Sequence, residues 1–401
     1  MPPIPRSSRP ADLLFPGGAA GLAPPGQTRP ASPFRMAPRI DAALADRDLA
    51  RFVPATTRLK DGTRESSLTA AFGDDRHALR ALAGEIRRQT LGALDHHLAA
   101  FAQQAEAHGL HLHVAADAAQ ARAIVLDLIA KTTADLPPDV PRRIVKAKSM
   151  VTEEIQLLDA LLSAGHDALE TDLGELVLQL DDDAPSHLVT PMIHKDRQAA
   201  ARALVRLGAA PDAPPTILPP DPTTLTKHAR HHLRAAFRDA HVGITGANFL
   251  VAETGEIVLC TNEGNGRLSA LAGRAHIAVT GIEKVVPTLA QLGVFLELLA
   301  RSATGQPLTV YTSFVAGPFR ASPISSDPAP SDPAREVHLV LVDNGRSRVL
   351  ASDTVRAALA CIRCGACLNA CPVYRTIGGH AFGSVWPGPI GMVLTPLMRG
   401  P

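Results

Sequence analysis

Residues Arg143–Glu154 read RIVKAKSMVTEE. The run Arg143–Lys148 (RIVKAK) carries Ile144 and Val145, residue types that suit extended backbone. It passes within a few residues into Thr152-Glu153-Glu154, where Thr152 is placed to cap a helix through Ser163 and the two acids fall where the helix dipole favours them. A strand thus feeds directly into a helix, and the same alternation recurs outward from it. Upstream, Gly109–Ala115 (GLHLHVA) is strand-like and leads to a helix over Ala118–Lys131. Before it, Leu82, Ile86, Leu91, Leu94, Leu98 and Phe101 recur at roughly helical spacing, predicting one long amphipathic helix from Ala81 to His108. Downstream, His187–Pro191 (HLVTP) is a strand candidate ahead of a helix over His194–Leu207, and Thr223–Ala240 reads as helix. Val242–Thr245, Phe249–Glu253, Glu256–Thr261, His276–Thr280 and Glu336–Asp343 read as strands. Helices are expected over Thr288–Arg301 and, shorter, over Thr354–Ala360. Strand alternating with helix predicts an α/β fold with a largely parallel, Rossmann-like open sheet.

Composition sets the surroundings of that core. The first forty residues hold ten prolines, five arginines and one acid, Asp12. Such a segment cannot bury enough apolar surface to order itself and is expected to be a disordered tail, with Met36 a candidate natural start. Ala210–Pro222 and Pro318–Pro333 read as exposed connections. The 40 basic and 39 acidic residues nearly cancel, so charge gives no ground for a nucleic-acid partner. Val285–Ala300 is interrupted by Pro287, Gln291 and Glu297 and predicts a buried helix, not a membrane span.

Four of the five cysteines lie between Cys361 and Cys371. A secreted disulfide scaffold would spread them, so the clustering points to a metal site and a reducing compartment, with the cytoplasm expected. The spacing, Cys361-x2-Cys364-x2-Cys367-x3-Cys371-Pro372, is that of bacterial ferredoxin-type cluster binding. Soft thiolates suit iron–sulfur clusters, and the small Gly365 and Ala366 let backbone amides approach the sulfides. A structural zinc site would need a second pair of ligands on another hook, and none follows. In two-cluster ferredoxins the fourth cysteine of such a run ligates the other cluster. Cys260, in a strand-like stretch, reads as a small core residue.

Two further constellations are candidates for an anion or substrate site. Lys146 and Lys148 stand at alternate positions of one strand, hence on one face, at a strand-to-helix junction where open sheets place ligands. Asn262, Gly264, Asn265, Gly266 and Arg267 make a loop whose successive amides can point at an anion, or an ordinary strand-to-helix turn. His228, His231 and His232 share a helical face but sit among Lys227, Arg230 and Arg234, as on a solvated basic surface. His187 and His194 lie at strand–helix junctions. His380 is placed to donate to a cluster sulfide or to serve as a loop residue. No catalytic residues can be assigned from spacing.

The chain resembles the lactate utilization protein B family. The likeness rests on Lys146–Glu154 (KAKSMVTEE), Glu170–Glu175 (ETDLGE), Gln179, Ser186-His187, His194-Lys195, Gly243–Phe249 (GITGANF), Glu253-Thr254-Gly255 and Thr261–Arg267 (TNEGNGR). It continues through the cysteine run, Cys371–Tyr374 (CPVY), Gly378-Gly379-His380 and Pro387–Gly391 (PGPIG). The resemblance implies a lactate-utilization α/β domain similar to sugar-phosphate isomerase and CoA-transferase folds. It also implies two [4Fe–4S] clusters in an α-helical ferredoxin-like domain. The implied role is electron transfer during oxidation of L-lactate to pyruvate. Two sister subunits are implied as partners, one a cysteine-rich iron–sulfur protein and the other an α/β-domain-only protein. Family members continue into a second cysteine run, whereas this sequence ends at Met398-Arg399-Gly400-Pro401. A shortened C-terminus with one cluster, or an incomplete set, is therefore expected. The expected organisation is a tail over 1–40, a helical region over 41–108, the α/β domain over 109–345 and a cluster segment over 346–401. An alternative is an enzyme acting on a carboxylate or phosphorylated substrate in the α/β domain with a structural cluster, or a non-functional remnant.

Overall fold

The computed structural model describes residues 36–137, 139–207, 217–318 and 335–399. Its strands in chain order are β1 (His111–Ala115), β2 (Arg143–Lys146), β3 (Asp167–Glu170), β4 (Val242–Thr245) and β5 (Phe249–Val251). They continue with β6 (Glu256–Thr261), β7 (Ala275–Gly281), β8 (Val285–Val286), β9 (Tyr311–Val315) and β10 (Glu336–Val342). Six of them form a fully parallel sheet in the order β1-β10-β7-β4-β2-β3. The remaining four make a smaller mixed sheet, β8-β5-β6-β9.

Side chains alternate across the large sheet. From β10, Val340 and Val342 join Ile144, Ile244 and Ile277 on one face, under Val125, Ile129, Ile155 and Leu161 of the covering helices. Val337, Leu339 and Leu341 point to the other face, against Leu98 and Phe101 of the helix Leu94–Ala107 and Leu250, Ile257 and Leu259 of the small sheet. Both faces are covered, which is why these strands read as continuous apolar runs. The small sheet turns Phe249, Val251, Val258 and Val286 toward Leu292, Phe295 and Leu298 of the helix Leu289–Thr304. Each such buried side chain contributes about 1.5–3 kcal/mol.

Several local expectations change. The helix expected over Ala81–His108 is two, Arg76–Gly92 and Leu94–Ala107, broken at Ala93. Met36–Ala45 is helical, so residues 36–40 do not belong to a disordered tail; residues 1–35 lie outside the described residues. HLVTP is not a strand: the His187 ring accepts the amides of Val189 and Thr190 at 3.0 and 3.1 Å and folds the segment into a bend. After β2 the cap is Ser149, whose Oγ accepts the Thr152 amide at 3.4 Å, while Thr152 donates back to the Ser149 carbonyl. The following helix stops at Glu154 and restarts at Leu157, because Gln156 adopts φ 53°. The helix after the proline-rich connection starts at Pro222, where proline needs no amide partner, and Asp221 caps it. Most of both expected surface connections lies outside the described residues.

The cysteine segment packs on the N-terminal helices. Leu368, Tyr374, Ile377, Phe382 and Trp386 share a core with Leu49 and Val53 of the helix Arg47–Phe72, and Arg375 pairs with Asp61 at 3.0 Å. The helix Gly388–Arg399 places Leu394 and Met398 against Leu91, Val349 and Leu359. Among the described residues no helix is long and apolar enough to cross a membrane.

Candidate functional site: a cleft closed by the cysteine run

From β2 the chain winds outward to β3; from β4 it winds the other way, to β7 and β10. The loops leaving the C-terminal ends of adjacent β2 and β4 therefore diverge, and a crevice opens where ligands of open α/β sheets bind. Gly246 allows the two loops to approach, since a Cβ there would lie 2.5 Å from Ser149 Oγ. The cleft holds about 310 Å³. Its walls include Lys148 and Ser149 after β2, Thr245–Asn248 after β4, Thr261–Glu263, Asn265 and Gly266 after β6, and Lys284 after β7. The remaining wall is the cysteine segment itself, through Ile362, Arg363, Cys364 and Trp386.

The expected anion residues separate in this geometry. Lys148, Asn262, Asn265 and Gly266 line the cleft; Lys146, Gly264 and Arg267 are not among its lining residues. Lys146 is fully buried, with Nζ held by Glu170 and, at 3.1 Å, Glu153. Burial pulls its pKa down, but the two carboxylates outweigh it and hold the ammonium above its ordinary value. Gly264 takes φ 78° ahead of the helix Asn265–Leu271, and Arg267 lies over the Tyr311 ring at 4.7 Å. Lys148 donates to the Leu188 carbonyl at 2.6 Å and stands 3.8 Å from Glu175. Burial pushes the Glu175 carboxyl up to about 8, with Lys148 opposing. Asn262 is committed to Gln306 and the Val310 amide at 2.9 and 3.1 Å. Reading the sequence missed Lys284, Arg363 and Trp386, which carry no recognisable spacing.

The cysteine run is folded so that each thiol receives a backbone amide. Cys361 accepts from Arg363 and Cys371 from Tyr374, both at 3.4 Å, while Ala366 serves Cys364 and Ile390 serves Cys367. Two left-handed residues, Arg363 at φ 64° and Gly365 at φ 76°, turn the loop to make this possible. Cys371 caps the helix Pro372–Ile377 with Pro372 at its first position. Amides aimed at sulfur stabilise thiolate and tune iron–sulfur clusters.

The loop has a rigid backing. His187 is buried, donates from Nε2 to Asn369 at 3.2 Å, and is held neutral by burial, its pKa pushed down to about 3. Tyr374 donates to the Ser186 carbonyl at 2.6 Å, and the Gly379 amide donates to Ser186 Oγ at 3.0 Å. His380 donates to the Ala184 carbonyl at 2.7 Å. His194 meets Asp183 at 2.9 Å, and Lys195 reaches the same carboxylate at 2.7 Å. The His228 and His232 rings meet at a tilt with centroids 4.6 Å apart, and His228 is turned to the Leu204 carbonyl. Cys260 lies in β6, its thiol pushed up to about 11 by burial.

The model of the LUD domain family matches residues 98–342, and that of the 4Fe-4S dicluster domain matches residues 357–395. Lactate utilization protein B of Shouchella clausii is 42% identical over 365 residues, covering 90% of this chain and 72% of its own length. The chain belongs to the lactate utilization protein B family. Its LUD domain supplies most of the cleft's walls, and its dicluster segment, which supplies the rest, carries the 4Fe–4S cofactor site formed by the cysteine run. Two further relatives are an "uncharacterized electron transport protein YkgF" of Escherichia coli, 45% identical, and lactate utilization protein B of Bacillus cereus, 44% identical. Each covers 80% of this chain, which spans 63% of their length. A DUF162 family protein from Deinococcus radiodurans overlaps 62% of this chain and 98% of its own, at 15% identity and TM-score 0.31, too loosely to carry an argument.

Proposed function

We propose that this protein passes electrons through a [4Fe–4S] cluster during the oxidation of L-lactate to pyruvate. It would act beside two sister subunits, one a cysteine-rich iron–sulfur protein and the other carrying the α/β domain alone. The observation that carries the reading is the shared wall: Ile362, Arg363 and Cys364 of the cluster loop line the same cleft as Lys148 and the loops of the sheet's switch point. Each lactate oxidised releases two electrons and two protons, and a cluster takes the electrons singly. The names of the relatives support the pathway and the amide-lined thiols support the carrier. The test is anaerobic reconstitution of the three proteins together, with L-lactate added and the cluster followed by visible absorbance and electron paramagnetic resonance. Reduction of the cluster by lactate is expected. A cluster that stays oxidised while pyruvate accumulates would sink the proposal.

A second reading makes the cleft a substrate site and the cluster structural, favoured by the cationic side chains that line it. Substituting Lys148 in cluster-loaded protein separates the two: loss of lactate binding with cluster reduction by an artificial donor intact supports the second.

A further inference from the structure

We propose that the cleft binds a small carboxylate anion, held by Lys284 and Arg363 against the cluster loop. Lys284 ends the turn that follows β7, is 9% exposed, and lines the cleft. Among the described residues no hydrogen bond or ion pair reaches its Nζ. Two negative groups act on it: Glu283, whose carboxylate is already taken by Arg346 at 2.6 Å and Arg363 at 3.2 Å, and Cys361 of the cluster loop. Arg363 supplies a second set of free donors. Its side chain is 6% exposed and uses Nη2 on Glu283, while buried Nε and Nη1 have no partner. Its guanidinium lies over the Trp386 ring at 4.4 Å.

Buried cationic donors left without hydrogen-bond partners cost free energy that a ligand recovers by accepting from them. Lys148 does not provide this unfilled charge, being bonded to Leu188. The acids of the cleft are also engaged. Asp172 accepts the amides of Gly174 and Glu175 at 3.0 and 3.3 Å, and Glu263 accepts that of Leu173 at 3.2 Å. What remains open is an ammonium and part of a guanidinium fork, a pairing that suits a planar carboxylate. A phosphate dianion would bring more negative charge toward a loop whose thiolates and cluster are already anionic. The cleft, at about 310 Å³, takes an acid of a few carbons with water to spare. The assignment deepens the electron-transfer reading and rests on it only for the cluster in the shared wall.

Trp386 is the chain's single tryptophan, so its fluorescence reports on the Arg363 contact. The full chain, reconstituted anaerobically, is titrated with pyruvate and in parallel with inorganic phosphate. A saturable change with pyruvate is expected, with phosphate at least tenfold weaker. K284M should weaken pyruvate more than tenfold and K284R much less, with iron content and the resonance spectrum of the reduced cluster unchanged. If K284M fails to load iron, N262D adds a like charge to the lining and should weaken pyruvate in the same direction. The assignment is overturned by no saturable response to pyruvate, by preference for phosphate, or by parental affinity in the variant that loads. In that last case Lys284 and Arg363 serve the cluster's own sulfur atoms. Pyruvate binding without lactate-driven cluster reduction would leave this assignment standing and remove the electron-transfer reading; reduction without binding would do the reverse.

Discussion

Replacing Arg346 by methionine tests how the cluster segment is fastened to the sheet. Arg346 is fully buried just beyond β10. It grips Glu154 through two bonds of 2.9 and 3.0 Å and Glu283 through one of 2.6 Å. Glu154 in turn accepts from Trp386 Nε1 at 3.0 Å, and Glu283 accepts from Arg363 at 3.2 Å. One guanidinium therefore ties the exits of β2, β7 and β10, through these carboxylates, to Arg363 in the cluster loop and Trp386 beyond it. Breaking a buried pair by removing one partner costs about 3–5 kcal/mol, a large share of a typical total of about 5–15. The loss falls mainly on Glu154, because Glu283 keeps Arg363. Adding E154Q to R346M should therefore return about 1–3 kcal/mol, the cost of an unsatisfied buried polar group.

Acid unfolding gives an independent signature of the same contact. Burial alone would raise the Glu283 pKa, but Arg346 and Arg363 overcome it and hold the carboxyl down at about 2. A depressed folded-state pKa contributes stability above the ordinary value of 4.5 that is lost as pH falls toward about 2. In R346M that loss should be smaller and should be complete at a higher pH. The assay is urea unfolding at a series of pH values, followed by circular dichroism and cluster absorbance. A cost under about 1 kcal/mol for R346M, or no rescue by E154Q, would refute the reasoning.

Three other outcomes follow from named contacts. Alanine at Cys361, Cys364 or Cys367 should cut iron per chain after reconstitution, whereas C260S, in β6 with its thiol bonded to Thr309 and Thr312, should leave it at the parental level. K146M strips Glu170 of its buried cation and should cost about 3–5 kcal/mol in thermal or urea unfolding, part of which K146M/E170Q restores; an additive double mutant would contradict the coupling. Glu175, pushed up to about 8, keeps its proton in the folded chain where the unfolded chain loses it near 4.5, so its contribution to stability declines as pH rises between those values. E175Q should flatten that part of the pH–stability curve, and an unchanged slope would show the carboxyl ionised when folded.

Most strands were legible because they are short, apolar and largely buried; β2, β4, β6, β7 and β10 lie within two residues of where periodicity puts them. β3 and β9 were not, since Asp167–Glu170 and Tyr311–Val315 carry polar residues and only pairing makes them strands. The lysine pair shows a subtler limit. Alternation places Lys146 and Lys148 on one face only while the strand continues, and the strand ends at Lys146. One residue later the backbone turns, so Lys146 closes a buried acid pair while Lys148 reaches the cleft. Lys284 was hidden for the opposite reason: it follows an apolar strand with no spacing to mark it, and only the order of the sheet carries it to the switch point. Ser186 and His187 stood out as resembling the family without a physical role, because HLVTP reads as a strand. The role becomes visible only across about 180 residues of chain, where Ser186 receives Tyr374 and Gly379 and His187 holds Asn369. The local pattern thus marks where backbone is extended or helical, while the groups that fasten the cluster loop to the cleft are set by contacts that no window of sequence contains.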